Sequence, residues 1–495
     1  MPDDPSLQPT LAVLARTSRA FHEPAIDRLW EELYNLVPIV QCFPTDTWKE
    51  KQHCLRLDIL HEVCPSYKEN SRRRRMSSRS LYRAKRLDDG VFEALSLYRP
   101  VLTLFPNLRS FQWHARVGSL SFMTLILDQA KSLNLRVVAF VSRIKFTSPR
   151  LKNILLKTNY ISDELENEIS DAVCGLEHLQ SLTWFANHSL TYNALKALAQ
   201  LTYLRTLVLS WSIDQDSWFS PVASIPASFP NLRLLKILVN KVQSYLAFSG
   251  LGRFPLVEDF ELTILEAPTQ ITVQQLFNGI PRLFNADYLS RLCINSMDLV
   301  PASALRFRGT IHSLDFHPLL VLHYLEVVDI TPRFELDLDD QLMEALASAW
   351  PRLRVLRFRT DSGWNRSQLR MTLNGLIPFA KHCPELLVLG VVFNADSSSL
   401  PVDSYVMPGG SYSHSKLSRL DVGVSTVLPR DKYQVAMFLS GLFPHATITH
   451  CSPLVNTRED GDITSSGKVW EHICEIHPMF SKLRMGERKC KNKGD

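Results

Sequence analysis

Apolar residues in this chain return in one spacing: apolar, two residues, apolar, one residue, apolar. Leu108, Phe111 and Trp113 show it first, inside Phe105-Pro106-Asn107-Leu108-Arg109-Ser110-Phe111-Gln112-Trp113. The same triplet recurs at Leu179-Leu182-Trp184, Leu204-Leu207-Leu209, Leu232-Leu235-Ile237, Val257-Phe260-Leu262 and Leu289-Leu292-Ile294. It continues at Leu325-Val328-Ile330, Leu353-Leu356-Phe358, Leu386-Leu389-Val391 and Leu417-Leu420-Val422. Anchor-to-anchor intervals run from 25 residues, between Leu179 and Leu204, to 36, between Leu289 and Leu325. The interval from Leu108 to Leu179 is too long for one period, and Leu135-Val138-Phe140 and Leu151-Ile154-Leu156 are candidate irregular strands inside it. Apolar residues at helical spacing lie between the later triplets: Ala194, Leu195 and Leu198; Leu342, Ala345, Leu346 and Ala349; Leu369, Leu373, Leu376, Ile377 and Ala380. Thr191, Asp339 and Ser367 are placed to cap those helices, and Pro351 and Pro384 to follow them.

Strand then helix, over and over, predicts an α/β leucine-rich-repeat-like solenoid, whose signature is L-x-x-L-x-L-x-x-N/C. The closing asparagine stands at Asn187, Asn240 and Asn394. Its side-chain amide is expected to satisfy backbone groups where the chain leaves the strand. One face of each strand then packs on the helices and the other lines an inner surface. If Leu204, Leu207 and Leu209 set the buried register, Thr206, Val208 and Ser210 point to that surface. The same register places Lys236, Asp259, Glu261, Arg291, Asp329, Arg357, Arg359, Arg419 and Asp421 there, a charged groove suited to recognising a target protein. The boundaries expected are 1–40 for a helical hairpin, 41–104 for a helical or linker segment, 105–445 for the repeats and 446–495 for a cap helix with a basic tail. The stretch 396–415, rich in Ser, Pro and Gly, reads as an insertion.

Composition narrows the class. A chain of 495 residues, 45% hydrophobic and 21% charged, is long enough for several domains or one elongated stack. No apolar run approaches the roughly 18 to 20 residues that span a bilayer, and Met1-Pro2-Asp3-Asp4 lacks a basic signal-peptide start, so the expectation is a cytoplasmic or nuclear protein without membrane contact. Nine scattered cysteines show no disulfide spacing. A net charge of +5 does not by itself imply nucleic acid. The basic stretch 72–86, with Arg72 to Arg75 followed by Arg79, Arg83, Lys85 and Arg86, is expected to be a solvated linker, since only Tyr67 and Tyr82 lie near as stacking aromatics.

Chemistry is sparse. The chain carries no Walker loop, no G-x-G-x-x-G, no G-x-S-x-G and no H-E-x-x-H, so no enzyme activity and no cofactor are expected. His472, Cys474 and His477, and the group Cys42, His53, Cys54, His61 and Cys64, could bind metal but lack the paired spacing of zinc sites. Cys383 takes the place of Phe or Trp in sister repeats and reads as a small buried hydrophobe.

Residues 7–36 read as two helices, with Leu11, Leu14, Ala15 and Ser18 on one and Ala25, Leu29 and Leu33 on the next, started by Pro24. The string from Leu7 to Trp30, with its Ser18-Arg19-Ala20-Phe21 step and its Pro24-Ala25-Ile26-Asp27-Arg28-Leu29-Trp30 helix, resembles the second half of an F-box as found in basidiomycete-type fungal F-box proteins. The tail around Trp470, Cys474, Phe480 and Arg484 resembles the terminal helix of the same family. The family's first helix, opened by a Leu-Pro-x-Glu type step, has no counterpart before Leu7. The resemblance implies a substrate-recruiting subunit of an SCF-type E3 ubiquitin ligase. In that role Pro9, Leu11, Leu14, Phe21, Leu29 and Trp30 serve a Skp1-like adaptor and through it the cullin and RING parts. The repeats would present an unknown target by proximity. The alternatives are a repeat-based interaction scaffold that no longer binds Skp1, and a nucleic-acid-associated protein using 72–86.

Overall fold

The computed structural model describes residues 13–33, 48–51, 54–57, 75–77, 86–87, 110–113, 132–135, 151–157, 170–171, 173–185, 190–211, 227–250, 252–266, 269–296, 310–331, 335–358, 369–399, 412–450 and 461–491. Two compact units make up the chain, Met1–Ser210 and Trp211–Asp495. Among the described residues no helix is long and apolar enough to cross a membrane.

In the first unit residues 13–17 are helical, Ser18 interrupts, and α1 (Arg19–Glu31) follows. Ser18 makes the break by taking the Ala20 N–H on its own hydroxyl at 3.2 Å, while its carbonyl accepts from Phe21 and His22. Pro24, expected to start the second helix, instead lies inside α1. Without an N–H it cannot bond back along the helix, so it costs α1 one bond rather than marking its start.

The strands of this unit are β1 (Glu32–Leu33), β2 (Trp48–Lys51), β3 (Cys54–Leu57), β4 (Arg75–Ser77), β5 (Arg86–Leu87), β6 (Ser110–Trp113), β7 (Ser132–Leu135), β8 (Asn153–Lys157) and β9 (Ser181–Phe185), with α2 (Tyr192–Gln200) before β10 (Thr206–Trp211). β1, β4, β6, β7, β8, β9 and β10 pair in that order, all parallel. β2 pairs antiparallel with β3, which pairs parallel with β5. The basic stretch expected as linker therefore contributes strands at Arg75–Ser77 and Arg86–Leu87. Leu133 and Leu135 align with Ile154 and Leu156, and these with Leu182 and Trp184. That register bears on both irregular candidates: Leu151-Ile154-Leu156 is in line, and Leu135 closes β7, while Val138 and Phe140 lie outside the described residues.

The second unit runs β11 (Ala227–Ser228), β12 (Leu234–Val239), α3 (Val242–Ser249), β13 (Gly252–Arg253), β14 (Asp259–Ile264), α4 (Gln270–Leu283), β15 (Arg291–Ser296), β16 (Thr310–His312), a 3₁₀ helix (Ser313–Val321), β17 (Val327–Thr331), β18 (Glu335–Asp337) and α5 (Asp340–Ala349). It continues with β19 (Val355–Phe358), a 3₁₀ turn (Leu373–Leu376) leading into α6 (Ile377–His382), β20 (Val388–Gly390), β21 (Arg419–Gly423), α7 (Lys432–Leu442), β22 (Thr447–His450) and α8 (Gly461–Lys491). β12, β14, β15, β17, β19, β20, β21 and β22 form a parallel sheet in sequence order. Its central row aligns Leu235, Phe260, Leu292, Val328, Leu356, Leu389, Leu420 and Ile448, all buried.

A backbone stitch sets this register. The carbonyl two residues before the central apolar position accepts two consecutive N–H groups of the next strand: Arg233 from Glu258 and Asp259, Glu258 from Ser290 and Arg291, Ser290 from Glu326 and Val327. Glu326, Arg354 and Leu387 do the same for the strands that follow. The apolar side of the sheet packs on helices, with the Tyr245 ring of α3 5.9 Å from Phe260 and Phe316 between Phe277 of α4 at 5.2 Å and Phe358 at 5.4 Å. Fully burying such side chains stabilises by about 1.5–3 kcal/mol each, which is why the triplets hold register across uneven intervals. At the end of the sheet α8 packs on α7 and β22, with Trp470 Nε1 donating to the Ser425 carbonyl at 2.8 Å.

The caps divide. Thr191 and Asp339 accept the N–H groups of Ala194 and Leu342, as expected for α2 and α5. Before α6 the cap is Thr372 rather than Ser367, which lies outside the described residues: Thr372 Oγ1 accepts from Asn374 N–H at 3.2 Å, and Asp340 fixes Thr372 in turn. Asn240 Oδ1 accepts the Lys241 N–H at 2.9 Å, as its place after a strand suggests, whereas Asn394 Oδ1 takes a hydroxyl from Thr426 at 3.2 Å; Asn187 lies outside the described residues.

Candidate protein-recognition face

Because side chains alternate along a strand, burying the triplets turns the intervening residues of the second unit to the opposite face of the sheet. β12 and β14 show this as a strict alternation of half-buried and buried positions. Two rows then run across the strands. One carries Leu234, Asp259, Arg291, Val327, Val355, Val388, Arg419 and Thr447. Its neighbour carries Lys236, Glu261, Cys293, Asp329, Arg357, Gly390, Asp421 and Thr449. The sequence-predicted residues Lys236, Asp259, Glu261, Arg291, Asp329, Arg357, Arg419 and Asp421 thus share one face; Arg359 lies outside the described residues.

Most of these charges answer each other across adjacent strands. Lys236 Nζ donates to Glu261 Oε2 at 2.7 Å, Arg291 Nε lies 3.6 Å from Asp259 Oδ1, and an Arg357 nitrogen lies 3.8 Å from Asp329 Oδ2. Asp259 and Asp329 are three-quarters buried while the arginines beside them are nearly half exposed. Burial pushes both aspartate carboxyls above the usual range, and Arg291 and Arg357 respectively pull them back part of the way. Asp259 Oδ1 and Asp329 Oδ1 are buried and have no hydrogen-bond partner among the described residues, which leaves the arginines beside them as the accessible members of each pair.

Several residues of the face were not singled out from the sequence. Cys293 sits between Glu261 and Asp329 and takes a 3.3 Å hydrogen bond from Arg291 Nε; burial raises its thiol, and Arg291 works against that. Thr331 Oγ1 donates to Asn295 Oδ1 at 2.9 Å. At the leading edge, one residue ahead of each anchor, stand the exposed Tyr288 and Tyr324, with the Arg352 guanidinium 4.2 Å above the Tyr324 ring. The residue before the anchor leucine was the available signal.

The six adaptor-binding candidates are unevenly placed. Leu14 and Phe21 are exposed, 38% and 56%, and Val13 joins them at 59%. Pro9 and Leu11 lie outside the described residues, and Leu29 and Trp30 belong to α1. Among the described residues no group of three or more His, Cys, Asp and Glu is placed to hold a metal.

No protein-family model matches the chain, and no curated protein matches it. Among solved structures it is similar to a chain from the crystal structure of the Rad7 and Elc1 complex in yeast, at 15% identity and a TM-score of 0.34, over 75% of this chain and 84% of that one.

Proposed function

We propose that this protein is a repeat-based recognition subunit in which the polar face of the second unit binds a target protein and the N-terminal helices bind a Skp1-like adaptor. On this reading it recruits substrates to an SCF-type ubiquitin ligase and performs no covalent chemistry itself. The observation that carries the reading is the in-register face itself: half-exposed charges from successive strands, set out at about 4.8 Å from strand to strand over a buried apolar row. Such a surface offers a partner many fixed polar groups at little ordering cost. Exposed Leu14 and Phe21 supply the apolar anchors that an adaptor groove would bury, and the F-box-like string from Leu7 to Trp30 names the class of adaptor.

The test is capture by purified Skp1 of this chain, of a version extended upstream, and of the Leu14→Asp and Phe21→Asp variants. Capture of the parent chains with loss in both variants is expected. Failure of both parent chains removes the ligase role and leaves a recognition scaffold, and capture that ignores both aspartates moves the adaptor site elsewhere.

A further inference from the structure

Taking the polar face as target-binding, we propose that its β19–β21 sector receives a carboxylate-rich protein segment on Arg352 and Arg419. Most charges of this face are already satisfied within the fold. In the second unit, on this face and its leading edge, Arg233 pairs with Glu258 at 2.6 Å, Lys236 with Glu261 at 2.7 Å and Arg291 with Asp259 at 3.6 Å. Arg354 pairs with Glu326 at 3.7 Å, Arg357 with Asp329 at 3.8 Å, and Lys416 with Glu385. A pair already made in water adds little on binding, because the partner must compete with the carboxylate in place.

Arg352 and Arg419 are different. Both are exposed, and neither has a carboxylate partner among the described residues. Arg352 is held in a fixed place by the Tyr324 ring beneath it at 4.2 Å, which leaves its donors free while limiting the freedom lost on binding. Exposed Tyr288 stands at the matching position one strand before Tyr324. Tyrosine and arginine together are the residue types that dominate binding energy at protein interfaces.

Spacing sets the ligand. Arg419 shares a row with Val355, across β20, and Arg352 lies three residues ahead of Val355. Strand separation and rise put the two arginines roughly 10–15 Å apart. An extended chain advances about 3.3–3.6 Å per residue, so its two acidic side chains fall about three to five residues apart. Each guanidinium can take a carboxylate with two parallel hydrogen bonds.

The experiment pans a phage-displayed library of short random peptides against the full chain and against an Arg352→Glu/Arg419→Glu variant, with thermal melts to show that both are folded. The wild-type chain is expected to enrich peptides with paired Asp or Glu at that spacing. Synthetic copies of them should lose about tenfold in affinity for each arginine reversed. The double variant should enrich Lys and Arg instead. Peptides without acidic enrichment, or unchanged affinity in the double variant, overturn the inference. If such peptides are lost on Lys236→Glu, the face still recognises targets and only the acidic-segment assignment falls. A chain that selects no peptide overturns both. Parallel titrations with single-stranded oligothymidine and with phosphatidylserine vesicles complete the set: tighter binding there, with the same arginine dependence, overturns the assignment to a protein segment.

Discussion

Asp340, the first residue of α5, holds Thr372 with both carboxylate oxygens: Oδ1 accepts the Thr372 N–H at 2.7 Å and Oδ2 accepts its hydroxyl at 2.6 Å. The contact fixes the backbone just where the 3₁₀ turn before α6 begins, and so ties one helix of the second unit to the next. It also brings Asp340 Oδ1 over Gly375, where an added Cβ would lie 2.6 Å from that oxygen and 3.2 Å from the Met371 side chain.

Asp340→Ala is therefore expected to destabilise the second unit by about 1–3 kcal/mol, the cost of leaving a backbone donor and a hydroxyl unmet. Gly375→Ala is expected to cost a similar amount, about 1–3 kcal/mol, by overpacking. In the double variant the clash with the carboxylate is gone, so the two effects should add to less than their sum. Urea unfolding of the four proteins measures this, and full additivity would mean that Asp340 and Gly375 do not meet.

The alternation across the sheet makes a second contrast. Phe260 is buried on the helix side and Lys236 is half exposed on the other, in a salt bridge with Glu261. Phe260→Ala should cost about 3–5 kcal/mol. Lys236→Ala should change stability by no more than about 1 kcal/mol, because solvent screens the pair. Denaturant midpoints that rank the two the other way would invert the assignment of faces.

Acid should loosen the attachment of α8. His477, 3% exposed, lies where that helix packs on α7, and burial holds its imidazole below the ordinary 6.5 against a weaker pull from the Leu439 and Phe443 backbone. The folded chain keeps the ring neutral while the unfolded chain protonates it, so its contribution is complete above about 6.5 and is lost as pH falls through the lower folded value. Unfolding midpoints measured downward from neutral pH should show this loss, and His477→Phe should flatten the slope in that window.

Thiol reactivity should follow burial. Cys383 is fully buried, lies 3.6 Å from the Ala347 and Trp350 carbonyls, and burial pushes its thiol up to about 12. It should resist iodoacetamide until the chain unfolds, while half-exposed Cys174 reacts in the native state. Mass spectrometry of alkylated peptides gives both rates.

What could be read in advance follows the physics of each element. Leucine triplets were legible because a strand packed on one side repeats every second residue whatever lies between strands, and their anchors and register carry through the second unit. β7 (Ser132–Leu135) escaped the pattern because its position depends on pairing with β6 and β8, and Ala130 stands where the other triplets show a leucine or valine. β4 was hidden for the opposite reason: a strand of three residues inside an arginine run has neighbours but no apolar signature. The last strand, β22, offers only Ile448 to the pattern, and it too is defined by its neighbour. The face was legible residue by residue, yet its pairing was not, since Lys236 and Glu261 meet only through strand register.

The carbonyls of Arg233, Glu258, Ser290, Glu326, Arg354 and Leu387 differ in side chain but share one role, each receiving two amide hydrogens from the strand that follows. Since that link is indifferent to residue type, mutation at those sites is cheap, and the spread of two basic, two acidic, one hydroxyl and one aliphatic side chain among them is what such tolerance leaves behind. On the proposed reading, a scaffold joined this way can trade one clientele for another by ordinary point substitution along the sheet, without first renegotiating how the strands join.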